Sequence, residues 1–246
     1  MDARAAGLTV DGTSLSTAST PAGEILLLAV AGGGVDAAVY LGFGVLTAAQ
    51  TGNTILLAVA FSQGHFLAGL HSAVSIASYV VGAAIGQMIV GVRRTISRSA
   101  LRWALFIELF ALGALLLAWR AAGSQPATRE SLPLVALAAV SMGIQSAAVL
   151  YLHAGPATTY VTGTLTTFTV DVIRWPHLVS ASRPHPGILS GQRPWIYGIA
   201  WLVYLGGAAG TGLLFLRIGS TALLLPIAAI AIVLVVVICR PSMEAR

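Results

Sequence analysis

Polar residues are scarce in this chain, and those that interrupt its apolar stretches are of types that bind and move ions or small solutes. Asp36 lies inside "AGGGVDAAVYLGFG", where a carboxylate at membrane depth is costly and must face a cavity or a partner. Thr51, Gly52 and Asn53 close that stretch, and Thr162, Gly163 and Thr164 close a second one. The Thr-Gly steps read as helix breaks, with Asn53 and Thr164 as caps of the short segments that follow. Two such helix starts, buried, would present unpaired N–H groups and positive dipole ends to an anion, a carboxylate or a polar neutral group. Gln145 takes the place of Asp36 in the second stretch, so only one of the two is ionisable. One acid per pair suits proton coupling. Asp36 as a structural tie to backbone freed by Gly32, Gly33 and Gly34 is the competing reading. Glu108, inside "LRWALFIELFALGALLLAW", is a second acid among apolar neighbours. It reads as a proton-relay partner for Asp36, or as a snorkelling or oligomer-facing side chain.

Covalent chemistry finds no support. No nucleophile–base array or phosphate-binding loop is recognisable, so no enzyme is expected. His65, His71, His153, His177 and His185 lack metal-ligand spacing, and Cys239 is the sole cysteine. No metal or other cofactor is expected.

The polar residues need elements to hold them. Hydrophobic residues make up 57% of the 246 and charged residues 9%, with a mean hydropathy of +0.89. Soluble domains carry about 25% charged residues. The chain therefore belongs in a lipid bilayer, as an all-α polytopic membrane protein. Its net charge of +5 does not imply nucleic acid, because the arginines lie between apolar segments as topology markers. Six segments are long enough to cross: 25–48, 67–92, 103–119, 132–153, 195–216 and 221–239. Residues 53–62 and 164–173 are too short and read as half-helices. The first 23 residues, rich in Ser, Thr, Ala and Gly, read as a disordered cytoplasmic tail, and the linker 174–194 as a basic, proline-containing surface loop.

The segments repeat. Gly34 answers Gly143, Ala38 answers Ala147, Leu41 answers Leu150, and Thr51-Gly52 answers Thr162-Gly163. Further on, "YVVGAA" from Tyr79 answers "YLGGAA" from Tyr204. One membrane domain of two repeats, 24–121 and 132–240, follows. With the half-helices not crossing and both termini inside, ten arginines fall on the cytoplasmic side and three outside. Three crossings per repeat is odd, so the repeats are expected to be inverted.

The stretch "AGGGVDAAVYLGFGVLTAAQTGNTILLAVAF" and the later "TTYVTGTLTTFTVDV" resemble the YoaK-like family of bacterial integral membrane proteins, a domain of unknown function. The resemblance runs from Glu24 to about Arg240. Its most specific part is Gly33, Asp36, Thr51, Gly52 and Asn53, with Val161–Thr164 in the second half. It implies the membrane class and brings no substrate. The expected function is a secondary transporter, proton-coupled through Asp36 and Glu108, for a small polar or anionic solute. The solute would sit between the repeats, at Asp36, Thr51–Asn53, Gln145 and Thr162–Thr164. A passive channel and a non-transporting membrane protein are the alternatives. The expected setting is the bacterial cytoplasmic (inner) membrane, with lipid, the solute and a second copy of the chain as partners.

Overall fold

A computed structural model describes residues 22–91, 98–123, 126, 128–151, 161–180 and 195–239. The expected tail up to residue 21, the basic loop 92–97 and the linker 181–194 lie outside the described residues. Eight α-helices and no strand fill the described part: α1 Ala22–Phe43, α2 Gln50–Ser62, α3 Phe66–Gly91, α4 Arg98–Ala122, α5 Thr128–Tyr151, α6 Val161–Ser180, α7 Trp195–Ile218 and α8 Leu224–Cys239. Five segments are long and apolar enough to cross a membrane: Ala22–Phe43, Phe66–Val90, Ser99–Ala122, Glu130–Leu150 and Trp195–Cys239. The last, 45 residues, holds both α7 and α8. A single 3-10 turn, Gly219–Leu223, separates them, opened by Gly219 at φ 59°.

Apolar residues face outward as well as inward. On α4, Leu101, Ala104, Leu105, Glu108, Ala111, Leu112 and Leu115 form one buried stripe at helical spacing. Trp103, Phe106, Phe110 and Leu117 are exposed on the same helix. A helix apolar on both faces is made for lipid on one side and packing on the other.

Contacts fix the direction of each helix. The Trp119 ring near the end of α4 lies 4.4 Å from that of Phe43 and 5.6 Å from that of Phe215. The ends of α1, α4 and α7 therefore meet at one end of the bundle, here the far end. At the near end, Arg102 Nη2 at the start of α4 donates to the Val237 carbonyl at the end of α8, 3.2 Å away. His71 Nε2 on α3 lies 2.8 Å from Ser131 Oγ on α5, so these two helices start side by side at the far end and run back. Thus α1, α4 and α7 run outward, and α3, α5 and α8 return.

The two most extensive helix pairings are α1 with α7 and α3 with α5, both parallel. Each rests on a reciprocal pair of glycines. A Cβ on Gly33 would fall on the Tyr204 carbonyl and 3.1 Å from the Ala208 nitrogen; one on Gly207 would fall on the Val30 backbone. Likewise, a Cβ on Gly143 would fall on the Tyr79 carbonyl and 2.7 Å from the Ala83 nitrogen, and one on Gly82 would fall on the Val140 backbone. Small residues let the backbones touch, which is how helices associate in lipid. The four contacts correspond one to one: Gly33 and Val30 on α1 stand to α7 as Gly143 and Val140 on α5 stand to α3.

α6 also departs from expectation. It is a 20-residue helix, not a segment of 164–173. Hydropathy fades at Asp171 and Arg174, but charge does not end a helix. Phe168 packs on Trp195, ring centroids 6.2 Å apart, and against Gly198. α6 thus lies along the first part of α7, as α2 lies along the first part of α3, where a Cβ built on Gly69 would lie 3.6 Å from the Ala60 Cβ.

Candidate functional site

α1 ends at Phe43, and the chain turns on Gly44, whose φ of 72° suits glycine. It then comes back along α1 to the level of Asp36, roughly 10 Å below the helix end at 1.5 Å per residue. There α2 starts, and it returns to the far end, where the turn at Gly64 leads into α3. The chain thus reaches the far end, retreats about a third of the length of α1, and returns.

Such a turn, buried, exposes backbone groups that must all be matched. They are. One carboxylate oxygen of Asp36 accepts from the Thr47 N–H (2.6 Å), the Thr47 hydroxyl (2.8 Å) and the Ala48 N–H (2.7 Å). The other accepts from the Ala49 N–H (3.2 Å) and the Tyr204 hydroxyl (2.6 Å). Asn53 serves Leu46 on both sides: its Oδ1 accepts from the Leu46 N–H (2.9 Å) and its Nδ2 donates to the Leu46 carbonyl (2.6 Å). Ser75 on α3 donates to the same carbonyl (2.6 Å) and accepts from Asn53 (2.9 Å). The Gln50 amide donates to the Thr47 carbonyl (2.7 Å). The carbonyls of Ala48 and Ala49 take the N–H groups of Gln50 and Gly52, each at 3.0 Å. Every amide and carbonyl from Leu46 to Ala49 therefore has a protein partner.

This relocates the break. Thr51 and Gly52 lie inside α2, and Thr162 and Gly163 inside α6. The backbone departs from helix at Gly44–Ala49. Asn53 is not a cap at the helix start; it sits in the first turn and reaches back to Leu46. The helix starts three residues before Asn53 because its anionic cap comes from another helix. Asp36 occupies the place at the start of α2 that the sequence suggested for a solute. Its partners are the loop and Tyr204, not the backbone of Gly32–Gly34.

The remaining expected residues separate. Asn53 and Thr164 are buried, while Thr51 and Thr162 are exposed. Gln145 Nε2 on α5 donates to the Leu28 carbonyl on α1 at 2.9 Å, two turns before Asp36. Glu108 is fully buried in the α4 stripe, away from lipid, and neither carboxylate oxygen has a hydrogen-bond partner. It therefore does not snorkel. Sequence reasoning missed Thr47, Gln50, Ser75 and Tyr204. Tyr204 opens a repeated motif, which was the available signal; Ser75 carried none.

Residues 25–236 match the family described as "Protein of unknown function (DUF1275)". The chain belongs to this family. The UPF0700 transmembrane protein YoaK of Bacillus subtilis (strain 168) is similar to it, 32% identical over 149 residues. That match covers 59% of this chain and 64% of the relative, so the chain spans just under two thirds of the relative's length. No solved structure matches. With the apolar helices, these findings make this DUF1275 chain a multi-pass membrane protein. Asp36, the Gly44–Ala49 break, Asn53 and the glycine pairs all fall within the matched residues.

Proposed function

We propose that this DUF1275 protein is a secondary transporter for a small polar or anionic solute, built as an inverted repeat and working in the bacterial cytoplasmic membrane. The observation that carries the reading is the non-helical segment Gly44–Ala49, held inside the bundle at the level of Asp36 by Asp36, Asn53, Ser75 and Tyr204. Broken helices at membrane depth are the usual construction of transporter sites. The directions of the helices support inversion. α1 runs to the far end and its counterpart α5 to the near end, each with the same glycine contacts. Each half then has three crossings and one shorter helix, α2 or α6.

The glycine pairs also suggest which parts move. They join α1 to α7 and α5 to α3, across the repeat boundary. One body would be α2–α5, the other α1 with α6–α8. Between them lie the Gly44–Ala49 segment, the Gln145–Leu28 bond and the packing of α4 on α8. Alternating access would rock these interleaved bodies, not the sequence halves.

The solute would favour the start of α6. At α2 the carboxylate of Asp36 already meets the helix start. If Gly143 stands where Gly33 does, as the matching contacts suggest, the counterpart of Asp36 near α6 is Ser146 in place of Gln145, and it brings no charge. An anionic solute at Thr162, Gly163 and Thr164 would supply it. The reading requires no covalent chemistry and no cofactor. Proteoliposome uptake of small carboxylates and neutral polar solutes, with and without an imposed pH gradient, tests it. Saturable uptake driven by the gradient is expected. Non-saturating flux indifferent to the gradient would make the protein a channel, and no flux of any solute would remove transport.

A further inference from the structure

The core holds two acids in opposite circumstances. Asp36 accepts five hydrogen bonds. Glu108 accepts none, although it is equally enclosed. Glu108 lies half way along the buried stripe of α4, flanked by Leu105, Ala111 and Leu112. That stripe packs on α5 and α8, with lesser contact to α3 and the Gly219–Leu223 turn. The titratable side chains described on these elements are His71 and Tyr79 on α3, Glu130 on α5 and Cys239 on α8. His71 bonds Leu67 and Ser131 at the far end, Glu130 is exposed in the first turn of α5, and Cys239 is exposed at the near end. Arg102, on α4 itself, reaches Val237. None bonds to Glu108. A charged carboxylate in such surroundings, with no donor, costs far more than a neutral carboxylic acid. The arrangement seen here accommodates the acid form only. The charged form needs water or a donor, and α4 must part from a neighbour to admit either.

We propose that Glu108 is the proton-binding residue of the transport cycle, and that Asp36 is not. Glu108 holds its proton while α4 is closed on α8. When the two interleaved bodies separate along that seam, the carboxylic O–H bond breaks, the proton passes to an admitted water, and the carboxylate is left hydrated. Rebinding of a proton is the condition for closure. The inference rests on the transporter reading for its role in coupling, but proton binding itself is measurable without a solute.

The test is infrared spectroscopy of the full-length protein in lipid vesicles, wild type against Glu108→Gln, taken from mildly acidic to alkaline buffer. The difference spectrum isolates Glu108 from the other carboxyls. A carboxylic-acid carbonyl band that is absent from Glu108→Gln, and that disappears in alkaline buffer together with an amide-band change, is expected. Glu108→Gln should show no such amide change, being fixed in the neutral form. Glu108→Asp keeps the acid and should shift the band without abolishing it, which guards against a Gln variant that misfolds. The absence of a Glu108-dependent band in acid would overturn the proposal. So would a band that persists unchanged into alkaline buffer, which marks a permanently neutral packing group. If the titrating band appears but no solute is transported by the wild type, the transporter reading falls and the proton-binding site stands.

Discussion

Tyr204 on α7 gives its hydroxyl to Asp36 on α1 at 2.6 Å, joining residues 168 positions apart, while the same carboxylate holds the backbone of Thr47, Ala48 and Ala49. A side chain from the second half thus steadies the acid that shapes the break in the first. Tyr204→Phe removes one charge-assisted bond and should cost about 1.5–3 kcal/mol. Asp36→Asn should cost more, roughly 3 kcal/mol or above, because an amide cannot accept from so many donors at once. Unfolding in detergent measures both. An Asp36→Asn variant as stable as wild type would show that the carboxylate is not the lock described here.

Asp36, Asn53 and the glycine motifs were legible because they are polar or small residues in apolar sequence. Their partners were not. The cap of α2 comes from α1 and its support from α3 and α7, so no local rule could place the helix start at Gln50. Without that cap in view, Thr51-Gly52 was the natural place for a break. The class of fold was readable from composition, and the pairing of α1 with α7 was not, since nothing in the sequence says that the first helix packs on the seventh.

The reciprocal glycines allow a steric test with an internal control. Gly33→Ala and Gly143→Ala each place a methyl group on a neighbouring carbonyl that belongs to rigid helix backbone. Overpacking of this kind costs about 1–3 kcal/mol or more. Gly113 and Gly206, in α4 and α7, have nothing within 4 Å of an added Cβ. Gly113→Ala and Gly206→Ala should be neutral or stabilising, by up to about 1 kcal/mol. Equal effects at all four positions, read as melting temperatures, would mean that the close approaches do not carry the packing.

The position of the break is testable by comparing two glycines eight residues apart. Gly44 has φ 72° and opens the turn. Gly44→Val therefore strains the backbone and should destabilise by about 1–3 kcal/mol. Gly52 has helical backbone, and an added Cβ meets only the tip of the Leu46 side chain, at 2.6 Å. Gly52→Ala should be the milder change, since Leu46 can turn away. A larger loss of stability in Gly52→Ala would return the break to Thr51-Gly52.

Orientation rests on the arginines and on the sole cysteine. Cys239 is exposed at the end of α8, beside the start of α4. With the basic 92–97 loop inside the cell, an impermeant maleimide should leave Cys239 unmodified in intact cells and modify it after lysis. Ser124→Cys in a Cys239→Ser background should react from outside. The reverse labelling pattern would invert the topology and, with it, the assignment of ten arginines to the cytoplasm.

The interleaving of the two halves makes a prediction that a simple repeat does not. If α1 belongs with α7, residues 37 and 212 face each other: a Cβ built on Gly212 lies 4.0 Å from the Ala37 Cβ. That separation is the usual one for a disulfide. Ala37→Cys with Gly212→Cys, in a Cys239→Ser background, should cross-link on mild oxidation within one polypeptide. The long loop so closed should raise stability by up to about 4–5 kcal/mol in the chain-entropy picture. Mass analysis of the cleaved chain identifies the linked peptides. Oxidation that leaves both thiols free in a folded, helical protein would separate α1 from α7. The two bodies would then have to be drawn along the sequence halves, with Asp36 and Tyr204 on opposite sides of the moving seam.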